Sequence, residues 1–337
     1  MKVFKQILEE TFDSTDSWNY YSREMIFIYP FNSDIDSKLF IKSFLDISGK
    51  TAVVFNELID KLPDGRAVHI VSTFFLGHYF YLTPTFKNKI DKEITQLTKG
   101  LKIETNVEFS YIWFLVCLFH DIGYAIEEGK MPLDETIEQL ISAKSSLEVI
   151  TGIPKFYGII YKNYFKYITE VYCKNDHGIT AAHILFNQLC AIRESADKEG
   201  ISKLCWHEDL EKVYNFTAWN ILAHNIWFGD KQKECDLRYY TEFRIKRMLF
   251  DGKYKIKMKN HPFFFLFCLV DTIEPFKQIR DFKLLEKIGL EINNKRIRIL
   301  SNLGCGCEDK LLDNAEKLEK WLTKTERNNN YVDIYLN

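Results

Sequence analysis

Two long apolar runs limit what this chain can fold into. Val107–Phe119 (VEFSYIWFLVCLF) has only Glu108 and Ser110 as polar interruptions, and Ala67–Leu82 (AVHIVSTFFLGHYFYL) is nearly all apolar. At 13 and 16 residues, both are longer than the roughly 4–8 residues of a typical strand, so they read as helices buried on every side. Leu62-Pro63-Asp64-Gly65 is a turn signal that starts the second of them at Arg66. Further helical stretches are expected near 134–150, 177–196, 208–227, 236–250 and 262–282.

The texture changes after about residue 283. Ile288–Leu300 (IGLEINNKRIRIL) alternates apolar and polar residues around Asn293-Asn294, which predicts a hairpin with Ile297 and Ile299 on one face. A charged amphipathic helix (Glu308–Lys324) and an alternating run, Tyr331–Tyr335, follow, and this last run could pair with the hairpin as a strand. The expected fold class is mainly α: a mostly helical extension over 1–65, a helical core over 66–282, and a small C-terminal α/β cap over 283–337.

Composition narrows the function classes. Hydrophobic content of 46%, with 27 Phe and 18 Tyr, argues for a packed interior and against disorder. A net charge of −2 supplies no general basic field for nucleic acid, though it leaves room for a local basic groove. The eight cysteines are scattered, and the acidic N-terminus does not read as a signal peptide, so reduced thiols and a cytoplasmic location are expected. No run approaches 18 uncharged apolar residues, so no membrane span is expected.

Most of the eight histidines lie in apolar segments, where a lone imidazole is ordinarily a hydrogen-bonded core residue. His120 differs because Asp121 follows it at the end of the most apolar helix. An unpaired carboxylate there is costly, and a bound cation would remove that cost. Gly123 suits the helix stop.

The motifs around this pair resemble the HD-domain superfamily of metal-dependent phosphohydrolases. Arg66-Ala67-Val68-His69 resembles its opening Arg-x-x-His, and LFHDIGYA (118–125) its His-Asp helix end. DHGITAAHIL (176–185) and AWNILAHN (218–225) are similar to the histidine helices of its binuclear members. CLVDTIEPF (268–276) resembles the closing Asp segment, with the Asp-x-Ile-Glu-Pro string of HD hydrolases that cleave symmetric dinucleoside tetraphosphates. The dipeptide alone is weak; five segments in the family order carry the assignment.

The resemblance implies two divalent transition metal ions. His69, His120, Asp121 and Asp271 would hold one, and His177 and His224 the other, with Asp121 bridging. It further implies hydrolysis of a phosphoester or phosphoanhydride in a small phosphorylated or nucleotide substrate by metal-bound hydroxide, with Asp121, His120 and Arg66 as the catalytic residues. Nitrogen and oxygen donors without thiolate suit Fe, Mn, Co, Ni or Zn. Two other classes share the ligand set: a regulatory metal-binding module without turnover, and a di-iron oxygenase.

Among the remaining histidines, His78 reads as core or as support for a ligand, and His183 competes weakly with His177. His207 reads as surface, and His261, beside Pro262, as a cap or surface residue, with reach to the pocket as the other reading. Lys231, Lys277 and Arg280 lie near the motifs, with solvated surface charge as the ordinary reading. Tyr124 stands where many HD hydrolases carry a phosphate-touching Lys, which leaves the substrate open. The ligand segments are widely spaced, with 47 residues from His177 to His224 and again from His224 to Asp271, and 130–174 is the candidate lid or substrate wall. The aromatic N-terminal surface and the cap leave room for a homodimer.

Overall fold

The computed structural model describes residues 1–19, 28–101, 107–131, 163–164, 166–171, 175–198, 209–225, 234–245, 256–279, 281–302 and 307–336. The chain divides into two compact units. The first comprises Met1–Phe40, Asp64–Glu93 and Phe250–Asn337, and the second Ile41–Pro63 and Ile94–Leu249. The protein is mainly helical, with one small antiparallel sheet among the described residues.

In the first unit the helix Arg66–Tyr81 begins where the turn signal placed it, after Gly65 at φ 80°, a left-handed conformation that glycine adopts at little strain. Every residue of this helix except Arg66, Tyr79 and Tyr81 is buried. It packs against the helices Phe4–Asp13 and Pro262–Ile273. Phe12 and Trp18 meet its Phe75, and Trp18 also meets its Phe74, edge to face, as ring quadrupoles prefer, with Phe40 tilted against Trp18. The helix expected over 262–282 ends at Ile273, because Pro275 forces Glu274 into an extended conformation (ψ 123°).

The sheet runs β1(Lys2–Val3)-β2(Ile288–Ile292)-β3(Arg296–Ser301)-β5(Tyr331–Tyr335)-β4(Thr325–Asn328), all antiparallel. The hairpin at Asn293-Asn294 and its partner strand are as expected; the N-terminal strand and β4 are not. The charged helix is Cys307–Trp321, not running on to Lys324, and the Asn run ends β4 and turns into β5. Burial alternates along β3, with Ile297 and Ile299 inward opposite Ile334 and Val332.

The second unit is built around Phe109–Phe119, which is buried at every residue. The stretch Phe109–Glu127 is apolar and long enough to cross a membrane, yet 94% of it is buried inside the fold, as the core helix of a protein would be. The helices His177–Lys198 and Leu210–Ala223 pack along each other and against this core helix. Removing a large apolar side chain such as Leu115 or Phe119 from water contributes about 1.5–3 kcal/mol. Helix Glu234–Glu242 closes the described part, shorter than the 236–250 expected. The helix expected over 134–150 lies outside the described residues, as does most of 130–174.

Candidate metal centre

Three ligands expected from the motifs sit at helix ends of the second unit. His120 and His224 are the residues that end the helices Phe109–Phe119 and Leu210–Ala223, and His177 is the first residue of His177–Lys198. Packing the three helices together brings these ends to one point. At that point the Nε2 atoms of His120, His177 and His224 lie 3.4, 3.6 and 3.9 Å from the same oxygen, Asp121 Oδ1. All four side chains are buried.

The other ring nitrogens settle which tautomer faces inward. His120 Nδ1 lies 2.7 Å from the Cys117 carbonyl, and His224 Nδ1 meets the Ile221 carbonyl. His177 Nδ1 lies 2.7 Å from Glu127 Oε2. Carbonyls and carboxylates only accept, so each Nδ1 carries the hydrogen and donates it, and each Nε2 can point a lone pair at Asp121.

Metal–donor bonds of about 2.1 Å set neighbouring donor atoms roughly 3.0–3.4 Å apart. The observed spacings are at or just beyond that range, and the donor atoms of Asp121, His177 and His224 all lie within 4.8 Å of one another. A carboxylate at 1% exposure surrounded by imidazoles is an expensive group to bury, and a divalent cation offsets it. The donor set therefore fits a transition metal ion.

The supporting residues are the ones that sequence reasoning left without a role. Asp176 is buried; its Oδ1 accepts the Ile179 N–H (2.9 Å), and its Oδ2 accepts from Tyr164 Oη (3.1 Å) and Asn225 Nδ2 (3.0 Å). That one carboxylate caps the His177 helix and ties it to the residue after His224. Gly178 lies under His224, where a Cβ would meet ring atom Cε1 at 2.9 Å. Tyr124 stacks on His177 with ring centroids 3.7 Å apart and planes at 16°. Burial by itself pushes the His177 imidazolium down, but the Glu127 hydrogen bond and the charges of Asp176 and Asp121 outweigh it and lift its pKa above the ordinary value.

In the first unit His69 and Asp271 come together, with Nε2 3.1 Å from Oδ1. Glu274 accepts from His69 Nδ1 at 2.6 Å and also takes the N–H groups of Phe276 and Lys277. Lys277 Nζ lies 2.7 Å from Asp271 Oδ1, so its charge is paired with a carboxylate and is not simply solvated. Burial and the Lys277 charge lower the His69 pKa, and the hydrogen bonds to Asp271 and Glu274 reverse the shift, leaving it raised. Arg66, His69, Phe276, Lys277 and Gln278 line a cleft of about 200 Å³ that begins at Asp64-Gly65.

The other histidines separate cleanly. His78 is wholly buried against Phe74, and burial pushes its pKa down to about 3. His183 is buried with its pKa pushed down to about 4, in neither ligand group. His261 precedes Pro262 at the start of its helix, and its side chain makes no capping hydrogen bond there. His207, Lys231 and Arg280 lie outside the described residues.

Comparison of the chain with known protein families, with curated proteins and with solved structures finds no match.

Proposed function

We propose that the chain is a metal-dependent phosphohydrolase of the HD type that cleaves a phosphoester or phosphoanhydride in a small nucleotide-like substrate. One observation carries this reading: three imidazoles, each with Nδ1 committed to an acceptor, converge through Nε2 on a single buried oxygen of Asp121. A histidine serving only the core needs no shared focus. Bound there, divalent ions lower the pKa of water and draw charge from a phosphoryl oxygen.

The chain's own residues supply the rest. His177, His224 and Asp121 would hold one ion. The resemblance assigns His69, His120 and Asp271, again with Asp121, to a second. Arg66 and Lys277 line a cleft beside His69 and would orient an anionic group of the substrate through charge-assisted hydrogen bonds. Burial of Asp121, His120, His177 and His224 keeps bulk water from that group and would strengthen its hold on an ion.

The test measures bound metal per chain and turnover across nucleotides and generic phosphodiesters, for the wild type and Asp121→Ala. The reading expects up to two transition metal ions and hydrolysis of at least one of these substrates that the substitution abolishes. Metal binding with no turnover of any substrate would favour a regulatory module. Iron-specific loading with oxygen uptake would favour an oxygenase. A variant that keeps its full metal content and turnover would sink the site.

A further inference from the structure

His177 differs from the other two histidines facing Asp121 in where its Nδ1 hydrogen goes. His120 and His224 end their helices, so the carbonyl three residues back, Cys117 or Ile221, lies in the same turn and accepts the ring N–H. His177 opens its helix and has no helical carbonyl behind it. Its acceptor must come from elsewhere in the chain. Glu127, 50 residues earlier, provides it: one oxygen, Oε2, accepts the His177 backbone N–H at 2.9 Å and the ring Nδ1–H at 2.7 Å.

Two bonds to one atom clamp the backbone and the ring of the same residue together, which leaves the imidazole little rotational freedom. The helix start does not need the second bond. Asp176 already caps it through Ile179, and the Thr180 N–H reaches the Asp176 carbonyl at 2.9 Å. The ring bond therefore acts on the imidazole, not on the helix. Tyr124 holds the flat face of the ring, and Gly123 admits the His177 carbonyl. All three supports belong to the turn that directly follows His120-Asp121, so a single stretch, 120–127, supplies two donors and orients a third.

Resting on the metal-site reading above, we infer that Glu127 is the positioning residue for His177: it fixes the Nδ1–H tautomer, aims Nε2 at the metal position beside Asp121 Oδ1, and by its negative charge makes the imidazole a stronger donor.

The test uses the full chain stripped of metal, with Co²⁺ or Zn²⁺ titrated calorimetrically into wild type, Glu127→Gln and Glu127→Ala, alongside the melting temperature of each metal-free protein. Loss of such an outer partner typically weakens metal binding about 10–100-fold, and Glu127→Ala should fall in that range. Glu127→Gln keeps an oxygen that can accept both N–H groups but loses the charge. It should melt with the wild type and still bind metal several-fold more weakly, a split that a purely structural role does not produce. Wild-type affinity in Glu127→Gln, whatever Glu127→Ala does to folding, overturns the inference while leaving the metal site standing. A wild-type protein that binds neither ion overturns both.

Discussion

Gly123 and His177 meet backbone to backbone: a Cβ built on Gly123 would lie 2.1 Å from the His177 carbonyl oxygen. No side-chain adjustment relieves that clash, because both partners are main chain. Gly123→Ala should therefore destabilise the metal-free protein by about 3 kcal/mol or prevent folding, read from the urea midpoint. At Gly178 the obstacle is the His224 ring at 2.9 Å, which can tilt. Gly178→Ala should lose less stability, about 1–2 kcal/mol, but weaken metal binding, because the ring that moves belongs to the proposed metal site. Alanine tolerated at both positions without change would contradict the close approach.

Asp121→Asn retains the shape of the residue and removes its charge. Metal affinity should drop at least about 100-fold, measured by calorimetry on the metal-free protein. The same loss should be visible as heat stability. An ion present at 100 times its dissociation constant stabilises the wild type by about 2.7 kcal/mol, so a chelator should lower its melting temperature and leave that of Asp121→Asn where it was. Equal metal-induced shifts in both proteins would rule Asp121 out as a ligand.

Glu274 is fully buried and serves three donors, His69 Nδ1 and the N–H groups of Phe276 and Lys277. Truncation to alanine strands them away from water at about 1–3 kcal/mol for each one left unmet. Partial relaxation brings the expected loss for Glu274→Ala to about 2–4 kcal/mol. A chevron or equilibrium urea titration giving under 1 kcal/mol would mean that these donors find other partners.

Glu93 accepts the Phe263 N–H at 2.8 Å at the start of the Pro262–Ile273 helix, and burial pushes its pKa up to about 7 despite that hydrogen bond. The folded state therefore holds the proton more tightly than the unfolded chain, where the carboxyl titrates near 4.5. Its contribution is fully present below pH 4.5 and is lost as pH rises to about 7, by roughly 2 kcal/mol once partial exposure is allowed for. Glu93→Gln, which keeps an acceptor for Phe263, should flatten that part of the stability profile. Parallel wild-type and variant profiles between pH 4.5 and 7 would refute the shift.

The helices of the site were legible because their apolar runs are too long for strands and leave a buried helix as the workable solution. Val107–Phe119 announced the core helix of the second unit, and Pro275 is visible in the sequence as the reason the Asp271 helix stops early. His120, Asp121, His177 and His224 were legible as a set through the resemblance of their segments, taken in order, to the HD-domain motifs. Glu127 and Glu274 were harder. Each sits a few residues after an aspartate of the motifs, Asp121 or Asp271, but its partner lies 50 or 205 residues away, and nothing local marks the pairing. Asp176 carried a weak signal, an Asp at a helix start.

His78 and His183 lie in runs as apolar as those of His69 and His177, so the sequence determined that all four would be buried and left their chemistry undecided. That depended on what other segments bring to each ring. His177 receives Glu127 on one nitrogen and Asp121 before the other, and His69 receives Glu274 and Asp271. Burial drives His78 and His183 towards the neutral form. Hydrophobic burial depends on residue type and its spacing along the chain, whereas a lone pair is aimed by hydrogen bonds whose geometry exists only once the helices have packed.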